Sequence, residues 1–278
     1  MSARFGGRRA VVTGASRGIG AGIAQRLAAE GAHVVITART LDQHDHLAGS
    51  LSDTRQRLAA YGTTVGVVVA DLTDENQRQT IIPQAVELLG GPIDILVNNA
   101  AAAIYQPMSD YPLRRRRIVF EANVHAPLDL AQAVIPGMRA AGQGWIVNVS
   151  SSGASIKPGP PFHLVPPGPD TAVYAASKAA LNRITNGLGA ELYGTGIRAN
   201  TVQPKLAVLT EGAEALVGDT VKSEQLESLE QMVEAVVALC DCPESVTGQV
   251  HVSLDVIHEW KLSVHSLDGQ PLPQESLR

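Results

Sequence analysis

Seven short runs rich in β-branched and other apolar residues, at 10–13, 33–37, 65–70, 93–97, 145–149, 197–202 and 249–254, alternate with stretches of helical periodicity. Runs that are apolar almost throughout predict strands covered on both faces, and strands alternating with helices predict a parallel sheet. No repeat, low-complexity linker or charge boundary divides the 278 residues. The expected fold is α/β, a doubly wound seven-stranded parallel sheet with helices on both faces, built as one domain over 1–278.

The turn after the first run sharpens this to a Rossmann-like fold. In TGASRGIGAGIAQRLAAEGA, Gly14, Gly18 and Gly20 fall between a strand and a helix whose apolar face is Ile19, Ile23 and Leu27, and Gly31 ends that helix. Glycines there let backbone N–H groups approach a pyrophosphate at the positive helix end. The second strand runs into Thr37, Ala38 and Arg39, where dinucleotide folds place either an acid for the ribose hydroxyls or an Arg for a 2′-phosphate. Arg39, with Arg17 as a second cation, predicts NADP(H) over NAD(H). Asp71, after the third strand, falls where adenine would lie; Thr73 and Asp74 are the better helix caps. The fourth strand leads into Asn98, Asn99, Ala100 and Ala101 at the same edge.

Charge and cysteine content narrow the partners. A net charge of −5 offers no electrostatic case for nucleic acid or an anionic membrane, which leaves a small-molecule ligand, and no metal site is expected. Cys240 and Cys242 flank Asp241 and read as reduced thiols. No apolar run reaches the length of a membrane span, and MSARFGGRRA has no signal-peptide core, so a cytoplasmic protein without membrane insertion is expected.

In the second half, residues 113–141 predict one long helix that opens with Arg114, Arg115, Arg116 and Arg117, a solvated or subunit-facing surface. Asn123 is out of place among its apolar neighbours, and a polar residue there often bends a helix or holds a water. The fifth strand, WIVNVSSSG, delivers Ser150, Ser151 and Ser152 to the sheet edge. Residues 157–170 then carry six prolines and form a stiff loop whose Phe162, His163, Leu164 and Val165 either line a pocket or cover the sheet. A helix over 170–193 follows, capped by Asp170, ended by Gly194, with Leu181, Ile184, Leu188 and Leu192 on one face. Tyr174 and Lys178 share a face of it. An ammonium beside a phenol favours the phenolate and lowers a pKa ordinarily near ~10, giving a proton donor usable near neutral pH.

With these pieces in this order the chain resembles the short-chain dehydrogenase/reductase family, single-domain branch, over about residues 8–254, with 255–278 as an extension. The matching motifs are TGASRGIG, Asp71-Leu72, Asn98 to Ala100, Asn123, NVSS, YAASK and TGQV at 247–250. The resemblance implies that Asn123, Ser151, Tyr174 and Lys178 form the catalytic set. It implies cofactor contacts from Gly14, Ser16, Arg17, Gly18, Ile19, Gly20, Arg39, Asp71, Leu72, Asn99, Ala100, Tyr174, Lys178, Pro204 and Thr210. In that scheme Tyr174 is the general acid, Ser151 a hydrogen-bond donor to the reacting oxygen, Lys178 holds the nicotinamide ribose, and Asn123 positions a relay water. A homo-dimer or homo-tetramer is implied as well.

The chain also departs from the family pattern. Ala101 replaces a usual Gly, Pro204-Lys205 replaces Pro-Gly, and Leu254-Asp255-Val256 replaces Asp-Gly-Gly. The interval from Ser151 to Tyr174 is about ten residues longer than usual. Apolar residues at Leu206, Val208, Leu209, Leu216 and Val217, with Phe162, suggest a lipophilic carbonyl or alcohol substrate such as a steroid, acyl or terpenoid ketone. Two functions are carried forward: an NADP(H)-dependent carbonyl/alcohol oxidoreductase, and a non-catalytic dinucleotide-binding scaffold or regulator.

Overall fold

The computed structural model describes residues 3–42, 48–162, 168–211, 213–214 and 223–273. His163, Leu164, Val165, Leu216 and Val217 lie outside the described residues. All seven apolar runs form strands: β1 (Arg9–Thr13), β2 (His33–Ala38), β3 (Val65–Val69), β4 (Ile95–Asn98), β5 (Gly144–Val149), β6 (Ile197–Gln203) and β7 (Val250–Val252). They pair in the order β3-β2-β1-β4-β5-β6-β7, every pair parallel. The helices are α1 (Gly18–Ala29), α2 (Leu51–Leu58), α3 (Glu75–Leu89), α4 (Leu113–Phe120), α5 (Ala126–Ala141), α6 (Ala172–Glu191), α7 (Leu229–Leu239) and α8 (Ser253–Glu259). The seven-stranded doubly wound fold is thus present, and strand order reverses between β1 and β4, the switch point where such sheets open a crevice.

The strands are apolar along their length because both faces are buried. Val12, Ile36, Val97 and Val147 join one core with Ile23 and Leu27 of α1 and Met232 and Val236 of α7. Val11, Val35, Leu96 and Ile146 join the other with Ile81 of α3, Leu130 of α5 and Leu188 of α6. Asp74 caps α3 through bonds from the amides of Asn76 and Gln77, the role its position predicts. Among the described residues no helix is long and apolar enough to cross a membrane.

Three local expectations are corrected. The helix expected over 113–141 is two helices joined by a π-helical turn, Glu121–His125, because Asn123 turns inward to bind another segment. Asp170 does not cap α6: it sits inside a 3-10 turn, Gly168–Thr171, and the cap position is Thr171, whose side chain makes no capping bond. The helix ends at Glu191, before Gly194, and its last turn closes on buried Leu192. The seventh run is a strand only over Val250–Val252; α8 begins at Ser253, where the Asp-Gly-Gly of the family pattern is missing.

The extension after α8 folds back over the first core. Leu262 and Leu267 pack on it, and the buried carboxylate of Glu234 accepts from Arg26 Nη1 and the His265 amide, each at 3.0 Å. Cys240 and Cys242 are free, buried thiols, both pushed up from the ordinary range chiefly by burial.

Candidate active site

The glycine turn is shaped by contacts that leave no room for side chains. Gly14 and Gly18 have φ of +65° and +53°. The β1/β4 register places Val12 opposite Val97, so the turn meets the segment that leaves β4. A Cβ on Gly20 would lie 2.4 Å from both Asn99 Nδ2 and Gly14 O. Asn99 braces the turn, its side-chain amide donating to Thr13 O at 3.0 Å and Gly14 O at 3.3 Å. Thr13 Oγ1 in turn accepts from the amides of Asn99 and Ala100, each at 3.1 Å. No side chain caps the start of α1 and its first turn holds no acid. Open backbone donors at a positive helix end, with glycines in front, fit the phosphates of a dinucleotide.

Around that turn, the expected cofactor residues divide into those facing outward and those bound internally. Arg39 is exposed just beyond β2, and among the described residues its guanidinium has no ion pair. Arg17 is less free: its Nε and Nη2 donate to the carbonyls of Ala48 and Gly49 at 2.7 and 3.1 Å. Asp71 Oδ1 accepts from Thr73 N at 2.9 Å and Thr73 Oγ1 at 2.8 Å, closing a local turn beside buried Leu72. Ser16 is buried and Ile19 half-buried within the glycine turn. Thr210 packs on that turn, since a Cβ on Gly18 would come within 3.0 Å of its Cβ and Cγ2.

Four residues, Asn123, Ser151, Tyr174 and Lys178, converge around the carboxyl ends of β4 and β5. Ser151, just past β5, brings its hydroxyl near enough to the phenol of Tyr174 on α6 to favour the ionised form. The same hydroxyl accepts from Gly153 N at 3.2 Å. Lys178, one turn further along α6 and 2% exposed, donates from Nζ to Val149 O at 2.7 Å. Asn123 binds both backbone groups of Ala102, accepting from N at 2.8 Å and donating to O at 3.1 Å. Its Nδ2 also donates to Ser177 Oγ at 2.9 Å, and Ser177 donates to Tyr174 O at 2.6 Å. Asn123 is therefore tied to α6 at the turn that carries Tyr174.

The electrostatics correct one expectation. Burial pushes the Tyr174 phenol well above its ordinary value, the nearby Tyr105 adds to this, and the Ser151 hydroxyl opposes it. Burial also lowers Lys178 from 10.5 to about 8. The ammonium lies 5.9 Å from the centre of the Tyr174 ring and is committed to Val149 O, so desolvation outweighs the cation in setting the state of the phenol.

The departures from the family pattern are accommodated. Ala101 has no positive φ. The Lys205 amide donates to Glu227 Oε2 at 3.1 Å and Ser253 Oγ at 3.0 Å, while its Nζ is drawn to Asp255 at 2.6 Å. Glu227, buried and raised above its ordinary value by that burial, also accepts from Leu206 N at 3.2 Å, pinning the segment that leaves β6. Arg114 to Arg117 are exposed. The buried arginine nearby is Arg78, paired with Glu121 at 3.2 Å and Asp129 at 2.7 Å.

Sequence reasoning missed Glu227, Ser177 and Tyr105. Ser177 sits inside YAASK, where a small hydroxyl one helical turn from Tyr174 was the available signal. Tyr105 follows β4 in AAAIYQP, a lone aromatic at the sheet's carboxyl edge in a chain with few aromatics.

Comparison with known proteins bears on the family and the fold. The family model described as short chain dehydrogenase matches residues 8–220. Hydroxysteroid dehydrogenase-like protein 2 is 30% identical in Mus musculus, over 92% of this chain and 50% of that protein, and 32% identical in Danio rerio, over 88% and 57%. The chain thus spans about half the length of the curated relatives it matches. A short chain dehydrogenase of Mycobacterium thermoresistibile superposes with a TM-score of 0.79 at 28% identity, covering 93% of this chain and 89% of that one. A 3-oxoacyl (acyl-carrier-protein) reductase of Agrobacterium tumefaciens C58, solved with NADP bound, superposes with a TM-score of 0.73 at 28% identity, covering 91% and 95%. By sequence match, strand order and the motifs at the switch point, the chain belongs to the short-chain dehydrogenase/reductase family of oxidoreductases.

Proposed function

We propose that the chain is an NADP(H)-dependent oxidoreductase acting on a carbonyl/secondary-alcohol pair of a lipophilic, steroid-, acyl- or terpenoid-like substrate. We assign it to the cytoplasm as a homo-dimer or homo-tetramer. The observation that carries this reading is the convergence of Ser151, Tyr174 and Lys178 at the edge of the sheet that also holds the uncapped start of α1. When bound, a nicotinamide dinucleotide supplies the hydride. The chain supplies the proton and the orientation.

Tyr174, protonated at neutral pH because it is buried, donates its proton to the substrate oxygen as charge develops there. Ser151, whose hydroxyl lies beside that phenol, is placed to donate to the same oxygen. Lys178 presents its remaining Nζ protons near the phenol while Val149 O fixes its position. Asn123 holds the segment after β4 against α6, so the two sides of the site keep their spacing. In the oxidation direction Tyr174 is the base, and its raised pKa favours reduction near neutral pH.

Arg39 supports the preference for NADP(H), being the cation at the end of β2 where no acid stands. Exposed Leu209 and Phe162, on the segments leaving β6 and β5, support a lipophilic substrate. The names of the relatives, a hydroxysteroid dehydrogenase-like protein and an oxoacyl reductase with NADP bound, are consistent with both. The test is turnover of a broad ketone panel with NADPH, with Tyr174→Phe as control. Tyr174-dependent oxidation of NADPH is expected; binding of NADPH without any such turnover would return the scaffold reading.

A further inference from the structure

Tyr105 lies on the segment that leaves β4, and that segment is strapped at three points. Asn123 holds both backbone groups of Ala102. The Tyr111 hydroxyl donates to Ile104 O at 2.8 Å, and Gln106 N donates to Asp170 O at 3.0 Å. The last two flank Tyr105 on either side, and none of the three uses its side chain. The ring is left edge-on to Tyr174, centroids 5.7 Å apart at an interplanar angle of 71°. A loop tied to the π-helical turn, to itself and to the turn that leads into α6 holds Tyr105 in place.

We infer that Tyr105 is a positioning residue for the proton transfer proposed at Tyr174: its ring walls one side of the phenol from water and fixes its orientation toward the substrate oxygen. The inference rests on the reading above. Edge-to-face packing of two aromatic rings contributes beyond area alone and restricts both rings. Both phenols are raised chiefly by burial. Among the described residues, the groups around Tyr174 are Lys178 on its own helix, Tyr105 from the β4 segment and the neutral hydroxyl of Ser151 from the β5 edge. Removing the wall admits water, solvates the phenolate and lets Tyr174 ionise at lower pH. Phenylalanine keeps the wall and removes only the hydroxyl.

The experiment is an ultraviolet titration of tyrosinate in Tyr105→Ala, Tyr105→Phe and wild type, each with and without Tyr174→Phe so that the difference isolates Tyr174. In Tyr105→Ala the Tyr174 midpoint is expected to shift to lower pH, by at least about a tenfold rise in the proton concentration at half-titration, and in Tyr105→Phe to stay near wild type. Tyr105→Leu, a smaller cut should the alanine variant lose its fold, is expected to give part of the fall. An unchanged Tyr174 midpoint in the alanine or leucine variant would overturn the inference, as would an equal fall in Tyr105→Phe, which would assign the effect to the hydroxyl. In turnover, the alkaline limb of alcohol oxidation should move with the same variant, and kcat should drop about tenfold in Tyr105→Ala against about twofold or less in Tyr105→Phe. The titration does not need turnover. Absence of ketone reduction in wild type would therefore sink the proposed function while leaving this measurement able to decide on Tyr105.

Discussion

Replacing Lys178 by Met should make the protein more stable at neutral pH while ending its activity. The ammonium is 2% exposed, and burial brings its pKa from 10.5 to about 8. At about 1.4 kcal/mol per tenfold change in proton affinity, keeping it charged costs the folded state roughly 3 kcal/mol. Its bond to Val149 O offsets roughly 1–2 kcal/mol of that. Methionine, of similar volume and without the charge, should therefore gain roughly 1–2 kcal/mol at pH 7. The sign reverses with pH. A lysine whose folded value is depressed leaves the unfolded chain holding more protons between about 8 and 10.5, so wild type gains stability as pH rises through that window. By pH ~10 the gain is roughly 2–3 kcal/mol, and the methionine variant should have become the less stable protein. Urea unfolding of both proteins at pH 7, 8.5 and 10 measures the gap directly, and every other titrating group, Tyr174 included, cancels in the difference. A gap that stays constant with pH would refute the claim that burial rather than a compensating anion sets the state of Lys178.

Three further substitutions probe the scaffold and the cofactor site. Gly20→Ala places a Cβ 2.4 Å from Asn99 Nδ2 and Gly14 O, so it should destabilise the fold by about 2 kcal/mol and weaken NADPH binding at least about tenfold, read by thermal unfolding and cofactor fluorescence. Asn123→Ala strands both backbone groups of Ala102 and the Ser177 hydroxyl and should cost about 2–4 kcal/mol, with amide exchange rising at residues 101–106 as the specific signature. Arg39→Ala should weaken NADPH about tenfold and leave NADH nearly unchanged, because only the 2′-phosphate meets that guanidinium; equal losses for both cofactors would remove Arg39 from the specificity argument.

The features that were legible in the sequence are those whose physical cause is local. The strands announced themselves because burial on both faces imposes an apolar residue at nearly every position, as at Val11 and Val12, which serve opposite cores. Gly14 and Gly18 were legible because a strand-to-helix turn with positive φ excludes a side chain. Asn123 was legible only as a misfit: a polar residue in an apolar helix face signals a distant partner without naming it. The partner proved to be the backbone of Ala102 and the hydroxyl of Ser177, and the π-helical turn is the distortion that brings the amide to both.

What the sequence could not supply is which of several competing partners a group takes. Spacing alone puts Lys178 beside Tyr174 and predicts a lowered phenol. Yet the end of β5 offers a carbonyl 2.7 Å from Nζ, and the segment after β4 brings a second aromatic ring against the first. Both competitors come from segments that leave strands adjacent in the sheet but far apart along the chain. The Tyr174–Lys178 pair is consequently a half-buried phenol held protonated by desolvation beside a buried ammonium lowered to about 8. Under the proposed function, such a pair suits donation of a proton to the oxygen of a carbonyl undergoing reduction better than removal of a proton from an alcohol. If the proposed function holds, the segments after β4 and β5, as much as the two residues themselves, bear on which direction the site favours near neutral pH.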